Sequence, residues 1–205
     1  MHQEAITLKA RKIFDRFGNF PNFYLAGGTG LALQLGHRVS VDFDFFWDKD
    51  VPKGLLAKVR RVFKNSKIEV IINHSEQLTV TIEGVNTSFI KYLFPVTSEF
   101  IEYQKVKILP INEIAAMKAY TLGRRATLKD YVDLYFVLEE KVVTLKGIIN
   151  LCEQKYKEEF DPRLFLEQLI YSEDIEEIDI QFLKRKVDKL QIEKFFEKEV
   201  KKIKI

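Results

Sequence analysis

The chain has 205 residues and a single cysteine, Cys152, so it cannot form an internal disulfide and suits a reducing compartment. Its three histidines, His2, His37 and His74, lie far apart, and with one thiol they offer no cluster of zinc-site spacing. No apolar run approaches the ~20 residues of a membrane span. The opening MHQEAITLKARKIFDRF lacks the uninterrupted apolar segment of a signal peptide. These absences predict a cytoplasmic protein with no membrane partner. Repeats and low-complexity segments are also missing. A net charge of only +3 permits an anionic substrate without arguing for nucleic acid. What is present, 46% apolar and 31% charged residues, suffices for an ordinary globular core.

The chain is organised around AGGTGLALQLGHRVSVDFDFFW, residues 26–47. A short apolar strand over 23–26 delivers Gly27 and Gly28, which lack a Cβ and so let a phosphate approach the backbone N–H groups, with Thr29 opening the next helix. That helix covers 31–35 and ends at Gly36. From Val41 the period is two: Val41, Phe43, Phe45 and Trp47 share one face, and Asp42, Asp44 and Phe46 the other. The two carboxylates stand about 6 to 7 Å apart along the backbone, within reach of one divalent cation or a pair. Arg38 has two readings, a forked contact to a triphosphate oxygen or an ion pair with Asp42 or Asp48. Ser40 either donates to the same phosphate or caps a turn, and His37 reads as a packing or turn residue.

GGTGLAL followed by GHRVSVDFDFF resembles the signature of the AbiEii/AbiGii toxin-like nucleotidyltransferases, a branch of the polymerase-beta-type superfamily, and the likeness continues at EIAAMKAYTLGRRATLKDYVDLYFVL. The resemblance implies an α+β fold: a mixed sheet flanked by helices in a nucleotidyltransferase lobe, residues 1–109, then a helical lobe, residues 110–205, that completes the cleft. It implies Asp42 and Asp44 as ligands of Mg²⁺ or Mn²⁺, and Gly27, Gly28, Thr29, Ser40 and Arg38 as a cradle for a nucleoside triphosphate. It assigns Lys118 to the phosphates and Asp130 to orienting groups or acting as base. The implied role is a toxin of an abortive-infection or toxin–antitoxin pair, with a cognate antitoxin, that modifies RNA (tRNA first) or a protein. The alternatives are a non-catalytic module that keeps the fold for nucleotide or partner binding, and a phosphohydrolase using D-x-D.

Elsewhere the pattern predicts an amphipathic helix over 3–17, a helix after Pro52 with Lys53, Lys58, Arg60, Arg61 and Lys64 on its polar face, and an antiparallel meander of KIEVIIN, QLTVTIEG and NTSFIKYLF. The basic face is either solvated or a phosphate track for RNA. The third meander strand carries Lys91 where the wider superfamily has a third carboxylate, so Glu69 or Glu83 supplies that charge or the site works with two. Helices follow Pro110. Lys118 falls on an otherwise apolar stripe and must snorkel or meet an anion. Thr127 and Asp130 have capping-box spacing, and Asp133 lies one turn further on; KDYVD matches the family pattern, and the resemblance implies that Asp130 or Asp133 orients Lys118 or the attacking hydroxyl. An acidic connector over 172–177 precedes a basic amphipathic end, which docks on the body, meets a partner or approaches RNA.

Overall fold

The computed structural model describes every residue except 126, 172–174, 177, 204 and 205. Its centre is β2 (Phe43–Trp47), whose alternating side chains feed two different cores. Phe43 and Phe45 are buried on one side with Phe14, Phe17, Phe20, Phe63 and Phe89, and Trp47 packs against them. Phe17 lies 4.7 Å from Phe45 and 5.1 Å from Phe43, ring centre to ring centre, within the range where aromatic pairs attract. Phe46 faces the opposite core beside Tyr24 and Tyr92. Val41, expected on the apolar face, is exposed, because the strand begins only at Phe43.

β1 (Tyr24–Leu25) runs antiparallel to β2, and β5 (Val85–Lys91) runs parallel to it on the other side. β3 (Ile68–Asn73) and β4 (Gln77–Ile82) extend the sheet from β5 as the expected antiparallel meander. In β4 the alternation holds: Leu78, Val80 and Ile82 are fully buried. β6 (Ile101–Tyr103) and β7 (Val106–Ile108) form a hairpin that sequence periodicity did not indicate, and β7 lies parallel to β1. The result is a mixed sheet of order β3-β4-β5-β2-β1-β7-β6 in an α+β protein, the class expected.

The single helix expected over 3–17 is interrupted. Ile6 forms a parallel bridge to Ser40, Thr7 is extended, and the Thr7 hydroxyl accepts from the Ala10 N–H to cap α1 (Leu8–Phe14). α2 (Gly27–Leu35) starts at the first glycine rather than at residue 31 and ends at Gly36, whose φ of 64° is the left-handed conformation of a helix C-terminus. α3 (Leu55–Val62) packs Leu55 and Val59 into the phenylalanine core. Its basic face therefore lies on the side of the sheet away from Asp44, which removes the reason to read it as a track into the carboxylate site.

The other sheet face carries α2 and the helices after Pro110. These are α4 (Ile111–Leu122), α5 (Leu128–Glu139), α6 (Leu145–Tyr156), α7 (Pro162–Ile170) and α8 (Lys189–Val200). Tyr131, Leu134, Tyr135 and Val137 of α5 are buried as expected. The basic C-terminal helix docks on the body: Phe196 is fully buried, and Phe195 meets Tyr135 at 4.8 Å between ring centres. The acidic connector lies largely outside the described residues. Between Tyr171 and α8 the chain runs back along the loop before β2: Val39 N–H donates to Gln181 O and Leu183 N–H to His37 O. No described helix is long and apolar enough to cross a membrane.

Candidate active site

A cleft of about 340 Å³ opens where the end of β1, the start of α2 and the head of β2 face α4 and α5. Gly27, Gly28, Arg38, Ser40, Asp42, Asp44, Lys118 and Asp130 all line it, so residues spread over about half the chain converge as the sequence suggested. Thr29 does not line it. This side chain is buried, within hydrogen-bond reach of Ser40 Oγ at 2.7 Å and of the Asp42 carbonyl. A carbonyl can only accept, so the Thr29 hydroxyl donates to Asp42 O and accepts from Ser40. Thr29 thus fixes the backbone that presents the first carboxylate.

Both glycines are required by space, and Gly27 by conformation as well. Gly27 has φ of 61°, and a Cβ there would sit 3.0 Å from Asp44 Oδ2. A Cβ on Gly28 would come within 2.6 Å of the Arg38 guanidinium. The first N–H groups of α2 have no carbonyl within the helix to bind, and they open beside the carboxylates.

Asp42 precedes β2 and Asp44 lies within it, half-buried on the cleft side. Burial, and after it the charge of Asp42, pushes the Asp44 carboxyl up to about 6, against the opposing pull of Arg125 and Lys118. Two crowded carboxylates in a poorly solvated place are a donor set that a hard divalent cation relieves. Mg²⁺ is bound by one or two carboxylates with waters and substrate phosphates completing the shell, so the pair fits that ion. No group of three or more His, Cys, Asp or Glu side chains suited to a metal occurs among the described residues. Neither Glu69 nor Glu83 supplies a third carboxylate. Glu69 pairs with Lys67 on the exposed edge strand, and Glu83 accepts from Lys67 N–H in the β4–β5 turn. Across the β2–β5 ladder Asp44 meets Ser88. The further carboxylate that reaches the cleft comes from α5, at Asp130.

Behind the cleft lies a buried hub, of which the sequence suggested only the contact of Asp133 with Lys118. Asp133 is fully buried and accepts from Arg38 Nε at 2.7 Å, Arg38 Nη2 at 2.8 Å and His37 Nε2 at 2.7 Å, with Lys118 Nζ 2.6 Å away. Burial alone would push its carboxyl up, but Arg38, Lys118 and the His37 bond hold it well below the usual carboxylate range. Arg38 accordingly pairs with neither Asp42 nor Asp48, and His37 does more than pack. Lys118 meets anions rather than snorkelling. Burial opposes its charge, yet Asp133 and Asp130 together raise its pKa. Asp130 combines both readings offered for it: Oδ2 accepts from the Thr127 N–H and hydroxyl to cap α5, and Oδ1 accepts from Lys118 Nζ at 2.9 Å. Sequence reasoning passed over the apolar wall of the cleft, Phe46, Ile90, Ile114 and Met117, and two cations at its mouth, Arg125 and Lys129. The GRRATLKD run was the available signal for the cations, but it read as a hinge and a cap.

Known proteins share this fold. The sequence model of the family described as "Nucleotidyl transferase AbiEii toxin, Type IV TA system" matches residues 11–203. An uncharacterised protein of Aquifex aeolicus (strain VF5) is 30% identical over 182 residues, which cover 88% of this chain and 87% of that protein. MenT4, the nucleotidyltransferase toxin Rv2826c from Mycobacterium tuberculosis H37Rv, superposes with a TM-score of 0.62 at 17% identity, over 88% of this chain and 74% of its own. JHP933 from Helicobacter pylori superposes at 0.55 and 17% identity, over 98% and 94% of the two chains. At such identities the solved structures speak for the fold, whereas the family match spans nearly the whole chain. The protein therefore belongs to the AbiEii family of nucleotidyltransferase toxins of type IV toxin–antitoxin systems.

Proposed function

We propose that this chain is a Mg²⁺-dependent nucleotidyltransferase that moves a nucleoside monophosphate from a nucleoside triphosphate to an RNA acceptor, tRNA foremost, with protein as the other acceptor class, and that a cognate antitoxin restrains it. The observation that carries the reading is the Asp42–Asp44 pair opposite Lys118 and Asp130, with the Gly27–Gly28 turn between them, in one cleft. Asp42 and Asp44 would hold the metal, which when bound supplies Lewis-acid polarisation of the phosphoryl oxygens. Gly27 and Gly28 let phosphate oxygens reach the α2 N–H groups, and Ser40, whose one hydroxyl hydrogen goes to Thr29, helps fix the backbone of Asp42. Lys118 keeps one N–H beyond those facing Asp130 and Asp133 and aims it at the charge that develops on the leaving pyrophosphate. Asp130, with both oxygens engaged, serves to orient Lys118. The acceptor hydroxyl gives its proton to solvent as its oxygen bonds to the α-phosphorus, the bond from that phosphorus to the bridging oxygen breaks, and pyrophosphate leaves.

The test is incubation with each α-labelled nucleotide, Mg²⁺, total RNA and soluble protein. Label on RNA or protein, abolished by chelation, supports the reading and names the acceptor class. β5, the strand beside the D-x-D pair, carries no carboxylate and sets Ser88 next to Asp44, which favours one second reading, a nucleotide-binding module without turnover. Tight nucleotide binding with no label on any acceptor would select it.

A further inference from the structure

The positive groups of the cleft fall into two sets. Arg38 and Lys118 are buried and face Asp133 and Asp130, so these four charges balance one another inside the protein. Arg125 and Lys129 line the same cleft with no hydrogen-bonding or ion-pair partner for either side chain among the described residues, Arg125 exposed and Lys129 half-exposed. Arg125 N–H donates to Thr121 O at the end of α4, and Lys129 sits in the first turn of α5, between the capping pair Thr127 and Asp130. An unpaired cation keeps its whole charge available to a ligand, whereas Arg38, with Nε and Nη2 both on a buried carboxylate, contributes mainly to the frame. The cleft carboxylates not already ion-paired are Asp42 and Asp44. Once a divalent cation neutralises them, Arg125 and Lys129 are the surplus positive charge facing a polyanion.

We propose that Arg125 and Lys129 bind the triphosphate tail of the nucleotide, a deepening that rests on the nucleotidyltransferase reading, while Arg38 serves as a positioning residue locked to Asp133. The tail is favoured over the acceptor because both cations line the same cleft as the Gly27–Gly28 turn.

The experiment is calorimetric titration of inorganic tripolyphosphate and of each nucleoside triphosphate, in Mg²⁺ and without acceptor, and separately of total tRNA. It compares the wild type, Arg125→Ala/Lys129→Ala, the conservative Arg125→Lys/Lys129→Arg, and Asp42→Asn/Asp44→Asn. Both cations reach solvent, so the alanine variant keeps the wild-type melting temperature. Each lost cation weakens tripolyphosphate and nucleotide binding by about tenfold, the conservative variant restores most of it, and the difference shrinks in high salt. If the alanine variant binds both probes as the wild type does, the inference is overturned while the function stands. Unchanged nucleotide affinity with weakened binding of total tRNA also overturns it and assigns the cations to the acceptor. If the wild type binds no nucleotide, the nucleotidyltransferase reading fails first and this inference with it.

Discussion

Two aspartates show how differently one side chain behaves in this fold. Asp44 is held above its ordinary value by burial and by Asp42, at about 6. Its folded pKa lies above the unfolded one, so its contribution favours folding at low pH and is lost as pH rises from about 4 through 6, ending as a cost of about 3 kcal/mol. Asp44→Asn is expected to raise stability by about 2 to 3 kcal/mol at pH 8 in metal-free buffer and by little at pH 4, as read by urea unfolding. A gain independent of pH would contradict this account of Asp44. Asp133 is the reverse case, with its carboxyl held far below the usual range by Arg38, Lys118 and His37. Its stabilisation is present above the ordinary carboxylate pKa and persists until pH falls well below it. Asp133→Asn leaves Arg38 and Lys118 short of an anion and is expected to cost about 3 to 5 kcal/mol, by the same amount at pH 5 as at pH 8.

At the scale of elements, the site depends on two pieces of local chemistry. Thr127 and Asp130 close the first turn of α5, and the same Asp130 holds Lys118. Thr127→Ala should cost about 1 kcal/mol of stability and reduce nucleotide transfer several-fold by freeing Asp130. A variant as destabilised as that but fully active would separate the cap from the site. β2 was legible from sequence because its period of two puts carboxylates opposite phenylalanines, and the helix after Pro110 because its apolar stripe is long. The β6–β7 hairpin was not. Its strands have three residues each, and its turn uses Gln104 and Lys105 at positive φ of 50° and 67°, without the glycine or asparagine that usually marks such a turn. Nor was the rest of the Asp133 hub legible, since Arg38 and Asp133 stand 95 residues apart and meet only through packing. A D-x-x-D spacing on a helix gives no sign of which carboxylate turns inward.

At the scale of the molecule, β2 joins two cores, and that coupling links stability to function. Phe45 is buried among Phe17 and Phe89 on one face, while its neighbour Asp44 stands in the cleft on the other. Phe45→Ala is expected to cost about 3 to 5 kcal/mol and to lower transfer activity by displacing Asp44, although Phe45 does not line the cleft. The second core, packed against α2, carries the helices that bring Lys118 and Asp130 to the carboxylates. The cleft exists only when both cores form.

The central claim is that Asp42 and Asp44 act with Lys118 in nucleotide transfer. Its most direct test is the yield of pyrophosphate and of labelled acceptor in Mg²⁺, in the wild type and in Asp42→Asn, Asp44→Asn and Lys118→Met, each verified as folded. The account predicts equal amounts of pyrophosphate and transferred nucleotide in the wild type, and a loss of at least about 100-fold in each variant. Transfer at the wild-type level in Asp42→Asn or Asp44→Asn would contradict it.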